Sequence, residues 1–377
     1  MLNINRISDY EEFRDCKAMW DDLFVRSGTD NIFLTFEWID AYIRHFLKKK
    51  GLFILKILDD KRLIGIAPLM IRRYGCFGLP VRVMSFIGTL TSDRMDFIME
   101  GDRKKGIDLV LDYMMDTETK WDIVDLQEIA DSTQSTDIIN TWLKDRKQKN
   151  ILGPPKRNFF IDFSGKNGLS CSERFSRRFR EKYRRVNNKE TGLNLEFENY
   201  RNGKIGVERL FSDICMIEGY SWKGRQRKGI FSKPDSKAFH REIFDRFSKK
   251  GWIDISIMKS NGTPIAYKYD YFYSQKLYDY NHSFSETSSH LSPGTMLFLW
   301  ALKGYAEEGI LEFDFLRGEE EWKGMLANNF RVHDRIRIFR NTFYSRCLYC
   351  LYAKLIPYLK SKKAIRSVWM KIRETLG

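Results

Sequence analysis

The chain has 377 residues, 43% hydrophobic and 15% aromatic, and its 65 Lys and Arg against 50 Asp and Glu give a net charge of +15. That length and apolar content suit two folded domains, each burying a core of its own, and exclude a disordered polyelectrolyte. The positive excess calls for a polyanion, and nucleic acid, anionic lipid and phosphorylated small molecules all qualify.

Other classes fall away on inspection. No apolar run spans a bilayer, because Lys56 and Asp59 interrupt the GLFILKIL stretch and Arg346 and Lys354 interrupt the apolar tail. The start, MLNINRISDYEE, lacks the apolar core of a signal peptide, so a cytoplasmic location is expected. Of six cysteines only Cys347 and Cys350 have C-x-x-C spacing, without a second pair or a nearby histidine, and the five histidines form no ligand motif. No metal is expected.

In chain order, residues 53–70 read as a strand, a turn at Asp59-Asp60-Lys61 and a second strand from about Leu63. A helical stretch follows at 103–118 and a strand, WDIVDLQEI, at 121–129. Residues 171–192 form a helix-favouring segment with Arg174, Arg177, Arg178, Arg180, Lys182, Arg184, Arg185 and Lys189 around an apolar face of Phe175, Phe179 and Tyr183. An anion-binding segment and a solvated linker helix are both consistent with it. The plan then repeats: 252–270 is a hairpin turning at Ser260-Asn261-Gly262, 267–282 continues as strand, 293–308 is helical, and 310–316 is again a strand. Val124-Asp125-Leu126 answers to Phe313-Asp314-Phe315, which makes the chain a duplication of one α/β unit.

Only the second copy has a helix start suited to a phosphate. In HLSPGTMLFLWALKGYAEEG, Ser292 reads as the N-cap and Pro293 as the first helical residue, and Gly294 leaves the first-turn N–H groups open to an anion. Past the repeat, Ile365, Val368, Trp369, Ile372 and Leu376 oppose Lys360, Lys362, Lys363, Arg366, Lys371 and Arg373, a basic amphipathic helix. It suits an anionic membrane surface, or packing on its own domain.

Taken in order, NIFLTFEWIDAYIRHF, IGIAPLM, TSDRMDFIM, RRFREKYRR, SWK, LSPGT and FDFLRGEEEWKGMLANNFR resemble the GNAT-like acyltransferases of the CelD type, linked to bacterial cellulose and exopolysaccharide biosynthesis. These are related to the Fem-type peptidoglycan aminoacyltransferases, and the resemblance covers roughly residues 30–335. It implies an α/β (α+β) fold of two tandem GNAT-like domains, each a mixed central sheet flanked by helices, with a basic helical C-terminal tail. The boundaries expected are 1–165 for a first domain with a degenerate donor site, 166–192 for the basic linker helix, 193–340 for the acyl-CoA domain and 341–377 for the tail.

The resemblance further implies that Ser292, Gly294, Thr295 and Met296 hold the pyrophosphate of acetyl-CoA or another acyl-CoA, although the ordinary GNAT phosphate loop is richer in glycine and basic residues. It places Lys323, of the pair Trp322-Lys323, where it meets a carbonyl that develops negative charge; pairing with Glu319 and Glu320 is the alternative. Acyl transfer also needs a base, for which Asp314, Glu319, Asp270 and His282 are candidates. Trp222 and Lys223 suit a sugar carrying a phosphate, and Asp93, Arg178, Tyr183, Arg317 and Trp322 complete the acceptor set.

The activity expected is acyl-CoA-dependent N- or O-acyl transfer to an amino sugar or a polysaccharide or cell-envelope precursor, in the cytoplasm and peripheral on the inner membrane face. Two alternatives stand beside it. One is a Fem-type transferase using charged tRNA, favoured by the net charge of +15 and the basic 174–189 segment. The other is a noncatalytic binding protein of the same fold.

Overall fold

The computed structural model describes residues 2–76, 78–164, 194–201 and 206–361, with Arg177, Glu181 and Arg184 from the segment between. The rest of the basic segment, and the tail beyond residue 361, lie outside the described residues. The chain forms two compact units of mixed α/β structure: unit 1 is Met1–Ile43, Leu47–Lys156 and Val332–Gly377, and unit 2 is Arg44–Phe46 and Arg157–Arg331.

Unit 1 opens with β1 (Leu2–Ile7), then α1 (Tyr10–Asp15), α2 (Lys17–Arg26) and α3 (Phe36–His45). The hairpin read at 53–70 is β2 (Leu52–Asp59) and β3 (Arg62–Cys76), which runs on into β4 (Leu79–Phe86). β5 (Ile98–Met99) pairs with β3. Helix α4 (Arg103–Asp116) starts at Asp102, whose carboxylate accepts from the Lys105 N–H, and carries the chain to β6 (Ile123–Ala130). Helix α5 (Ser135–Asp145) and β7 (Asn150–Leu152) follow. The strand order is β1-β2-β3-β4-β6, completed by β14 (Asn329–Phe339), which runs antiparallel to β6. β4 and β6 pair in parallel, as a crossover through a helix requires.

Unit 2 repeats this plan. It contains β8 (Lys156–Asp162), β9 (Leu195–Arg201), α6 (Val207–Gly219), α7 (Trp222–Arg225) and α8 (Pro234–Lys250). Then come β10 (Ile253–Ser260), β11 (Thr263–Tyr273), β12 (Lys276–Phe284), α9 (Pro293–Glu307), β13 (Glu312–Asp314) and α10 (Glu321–Leu326). The order is β9-β10-β11-β12-β13, completed by β8 against β13. Again the fourth and fifth strands pair in parallel across a helix.

The alternation in AYKYDYFY explains the layers. Tyr269 and Tyr271 pack on His240, Phe244 and Phe247 of α8, whereas Ala266 packs on Met296, and Asp270 meets Tyr305, of α9. Helices therefore cover both faces, and the strand is buried on both.

Two expectations need correction. Residues 267–282 are not one strand: the chain turns at Ser274 and Gln275, both with positive φ (50° and 59°), the conformation of a two-residue hairpin turn, here without the glycine that usually signals one. The units also do not divide the chain linearly at 165 and 193–340. Each takes its sixth strand from outside its own run: unit 1 takes most of β14 from the C-terminal side, and unit 2 takes β8 from the end of the first half. The beginning of the tail belongs to unit 1 as α11 (Phe343–Cys350), whose Leu348 is buried with Val81, Ile123 and Phe339, and continues to α12 (Ile356–Ser361).

Candidate active site

The site in unit 2 begins with a defect in the sheet. β12 and β13 pair only at Lys276↔Glu312, Leu277↔Phe313 and Tyr278↔Asp314, while β12 continues to Phe284. Beyond Tyr278 the two strands part, so β12 presents backbone groups that no strand among the described residues takes up on that side. A cavity of about 360 Å³ opens there, lined by Lys268 of β11, His282 and Phe284 of β12, Gly294, Thr295, Leu297 and Phe298 of α9, and Trp322 and Leu326 of α10.

Helix α9 delivers its N-terminus to this cavity, but not as a serine-capped helix. Ser292 has φ 56° and ψ 45°, a left-handed conformation uncommon for serine, and its hydroxyl caps no N–H. The expected side-chain cap is thus absent, since a capping residue ordinarily has an extended backbone and Ser292 does not. Gly294 and Thr295 line the cavity, and a β-carbon at Gly294 would lie 3.1 Å from the Phe284 ring, so glycine lets helix and strand approach. Met296 instead is buried with Met258, Ile265, Ala266 and Leu297 and anchors the helix.

One wall is aromatic. Trp322 stands edge-on to Phe298 and Phe315, each at 5.7 Å, and to His282 at 6.3 Å. Through His282 and Lys268 the lining also meets a chain of buried polar groups. His282 Nδ1 lies 3.6 Å from the buried Asp279 carboxylate, which is 2.8 Å from Lys268 Nζ, and Lys268 also reaches Asp270 at 2.5 Å. The Tyr305 hydroxyl lies 3.1 Å from Asp270 and 2.6 Å from Asp254, and Asp254 accepts from Arg201 at 2.7 Å.

The charges along this chain follow from burial. Burial pushes Asp270 well above the usual carboxylate range, with Asp279 and Asp254 adding to it against the pull of Lys268. Burial pushes Asp279 up as well, but Lys268 and His282 outweigh it and hold the carboxyl below its usual range. Burial opposes the charge on Lys268, and Asp270 with Asp279 outweighs that too. Lys268 and Asp279 therefore favour their charged forms, and Asp270 its protonated one. Asp279 thus stays ionised next to His282, able to hold the ring and stabilise a proton gained there.

Behind β12 lies a second polar cluster. Lys223 donates to the His282 carbonyl at 2.8 Å and to Asn281 at 3.2 Å, and burial lowers its pKa. Asn281 donates to the Tyr267 oxygen at 2.7 Å and to Glu218 at 3.0 Å, and the Tyr267 hydroxyl donates to Glu218 at 2.9 Å. Lys223 therefore fastens the backbone that carries His282, while its neighbour Trp222 is exposed.

The other candidates lie apart from the cavity. Asp314 is buried, accepting from Arg331 at 2.8 Å and from the Leu316 N–H, and Asp125 of unit 1 is bound in the same way by Arg335. Glu319 is exposed and accepts from the Arg157 N–H at 3.1 Å. Lys323 is buried, donating to the Arg317 carbonyl at 2.5 Å and pairing with Glu320 at 3.0 Å. Asp93 lies in unit 1 between β4 and β5. Arg178 and Tyr183 fall outside the described residues.

Residues 174–324 match the family model described as an acetyltransferase (GNAT) domain. Unit 2 thus carries a GNAT acyltransferase domain. Among solved structures, FemX aligns at 12% identity over 92% of this chain and 100% of its own, with a TM-score of 0.58. The C-terminal DUF2156 domain of an Agrobacterium fabrum protein aligns at 11% identity over 90% and 97%, with a TM-score of 0.54. A Bacteroides thetaiotaomicron protein of unknown function aligns at 10% over 90% and 100%, with a TM-score of 0.52. At such identities the likeness is one of fold. No curated protein matches the chain by sequence.

Within this GNAT domain the sequence reading found His282, Gly294, Thr295 and Trp322, but not Lys268, Asp279, Glu218 or Asn281 as members of the site. A signal existed for Lys268: it stands two residues before Asp270 in a strand of tyrosines, so the two share one face, and a buried pair of charges there marks a site. Glu218 and Asn281 have no such pattern. Among the described residues no group of His, Cys, Asp and Glu is arranged to hold a metal ion, and no helix is long and apolar enough to cross a membrane.

Proposed function

We propose that unit 2 transfers an acyl group from an acyl-coenzyme A to an amine or hydroxyl of an amino sugar or a polysaccharide or cell-envelope precursor, in the manner of the CelD type. The observation that carries this reading is the parting of β12 from β13 beside the start of α9, over a cavity with His282 on its wall. The Gly294 N–H at the helix start, which no side chain caps, suits a pyrophosphate, which the helix dipole also favours. Backbone groups of β12 beyond Tyr278, apart from the His282 carbonyl that Lys223 holds, suit the amides of the donor's arm. Phe284, Leu297, Phe298 and Trp322 exclude water around the acyl group.

His282 accepts the proton of the attacking amine or hydroxyl, and Asp279, kept ionised by Lys268, orients the ring and stabilises the imidazolium. Trp322 closes the cavity beside His282 and offers a face to a sugar ring. Lys323, held by Glu320 and the Arg317 carbonyl, positions the turn that carries Trp322.

Calorimetry with acetyl-CoA tests the donor. Binding in the micromolar range is expected for the unaltered protein, weakened at least about tenfold by Thr295→Glu, which sets a carboxylate at the helix start. Thr295 is the better position than Gly294, where any side chain presses on Phe284. No binding by the unaltered protein would remove acetyl-CoA as donor, and salt-sensitive binding of charged tRNA in its place would favour the Fem-type alternative. For the chemistry, His282→Ala should lower kcat by roughly 10²–10⁴-fold while leaving donor binding unchanged.

A further inference from the structure

The C-terminal helices of unit 1 leave an apolar groove that acyl transfer does not use. Helix α11 starts at Thr342, whose hydroxyl caps the Ser345 N–H, and sets Leu348 and Tyr349 against the unit's core. Its other side faces outward. Phe343 is 85% exposed, Tyr358 58%, Leu355 46%, and Leu79, at the start of β4, 48%. With Leu351 these residues line a groove of about 1050 Å³. Scattered apolar residues on a surface are ordinary, but a contiguous set with aromatic rings marks a docking site.

Charge decides what docks. Among the described residues, the groove is lined by Arg346 and Lys354 and by no acidic residue. Along the sequence from residue 341 to the end, Arg346, Lys354, Lys360, Lys362, Lys363, Arg366, Lys371 and Arg373 face a single acid, Glu374. A second copy of this chain, itself at +15, would bring like charge to a groove whose described lining holds no carboxylate to offset it. An extended anionic plane with an apolar interior satisfies both halves of the pattern: rings and aliphatic chains enter the acyl boundary while cations stay at the phosphates.

We propose that this groove docks the protein on an anionic lipid bilayer. Phe343, Leu355 and Leu79 enter the interface, and Arg346 and Lys354 meet the lipid phosphates. The inference stands whether or not unit 2 transfers acyl groups. Each contact is weak alone, so attachment is reversible and salt-dependent.

The test is co-sedimentation of the full chain with phosphatidylcholine vesicles, with and without roughly one-third phosphatidylglycerol. At least about tenfold more protein should sediment with the anionic vesicles. The double variant Phe343→Glu/Leu355→Glu should fall to the level of neutral vesicles, and Arg346→Gln/Lys354→Gln should lose several-fold. All four positions are exposed, so the thermal midpoint should be unchanged, and a shared midpoint shows that folding is not what was lost. Equal sedimentation with both vesicle types, or with neither, would overturn the proposal. So would undiminished binding by the Phe343→Glu/Leu355→Glu variant, or a shift of that variant from dimer to monomer in sedimentation velocity, which would seat a second copy in the groove.

Discussion

At the scale of single residues, the site depends on which buried charges have partners. Lys268→Met takes from the buried Asp279 its closest cation, leaving His282 at 3.6 Å, and should cost about 3–5 kcal/mol, read as a lowered midpoint in denaturant. Asp270→Asn should cost under about 1 kcal/mol, because burial favours the protonated carboxyl of Asp270 and an amide keeps the shape. A large loss on Asp270→Asn would show the carboxyl to be ionised instead. His240 offers a test by pH. Enclosed by Phe231, Phe239 and Tyr280, it is depressed by burial to about 3, whereas in the unfolded chain it titrates near 6.5. The folded state keeps it neutral while the unfolded state takes up a proton, so stability is full above the unfolded pKa and falls as pH drops towards the folded one. Between pH 7 and 5 the loss is about 2 kcal/mol, measurable by urea unfolding and absent in His240→Leu. Such roles were half legible. His282 could be named as a candidate from its place at a strand end, but that Asp314 is spent on Arg331 and Lys323 on Glu320 depends on strand neighbours that no spacing reveals.

At the scale of elements, the sequence was a good guide wherever an element announces its own ends. Pro293 starts α9 as the helix rules require, and the hairpin turning at Asn261-Gly262 lies where glycine predicts it. The turn at Ser274-Gln275 was not legible, since neither residue signals the positive φ that both adopt. The helix start was legible in position and not in conformation. Because the Ser292 hydroxyl caps nothing, Ser292→Ala should change stability by less than about 0.5 kcal/mol, where a true serine cap would lose roughly 1. Thermal unfolding of the pair of proteins distinguishes the two.

At the scale of the molecule, the duplication was visible as a repeated order of hairpin, helix and strand, while the exchange of sixth strands was not. Strand pairing is decided in space: β14 reads as the natural continuation of the second copy until its backbone is found bonded to β6. The exchange predicts how the chain tolerates cutting. A fragment ending at residue 165 lacks β14, leaves β6 as a long bare edge and should aggregate or fail to fold. A fragment of residues 157–331 retains almost the whole of all six strands of unit 2 and should give a folded circular-dichroism spectrum and a monomeric elution volume. The same exchange sets an order of events on the ribosome. Every strand of unit 2 has been synthesised by Arg331, whereas unit 1, begun first, must wait for Phe339 to leave the exit tunnel. At roughly 5–20 residues per second that is a delay of some ten to forty seconds after Lys156, during which the nascent first half is an unfinished sheet and the usual N-to-C order of domain maturation is reversed.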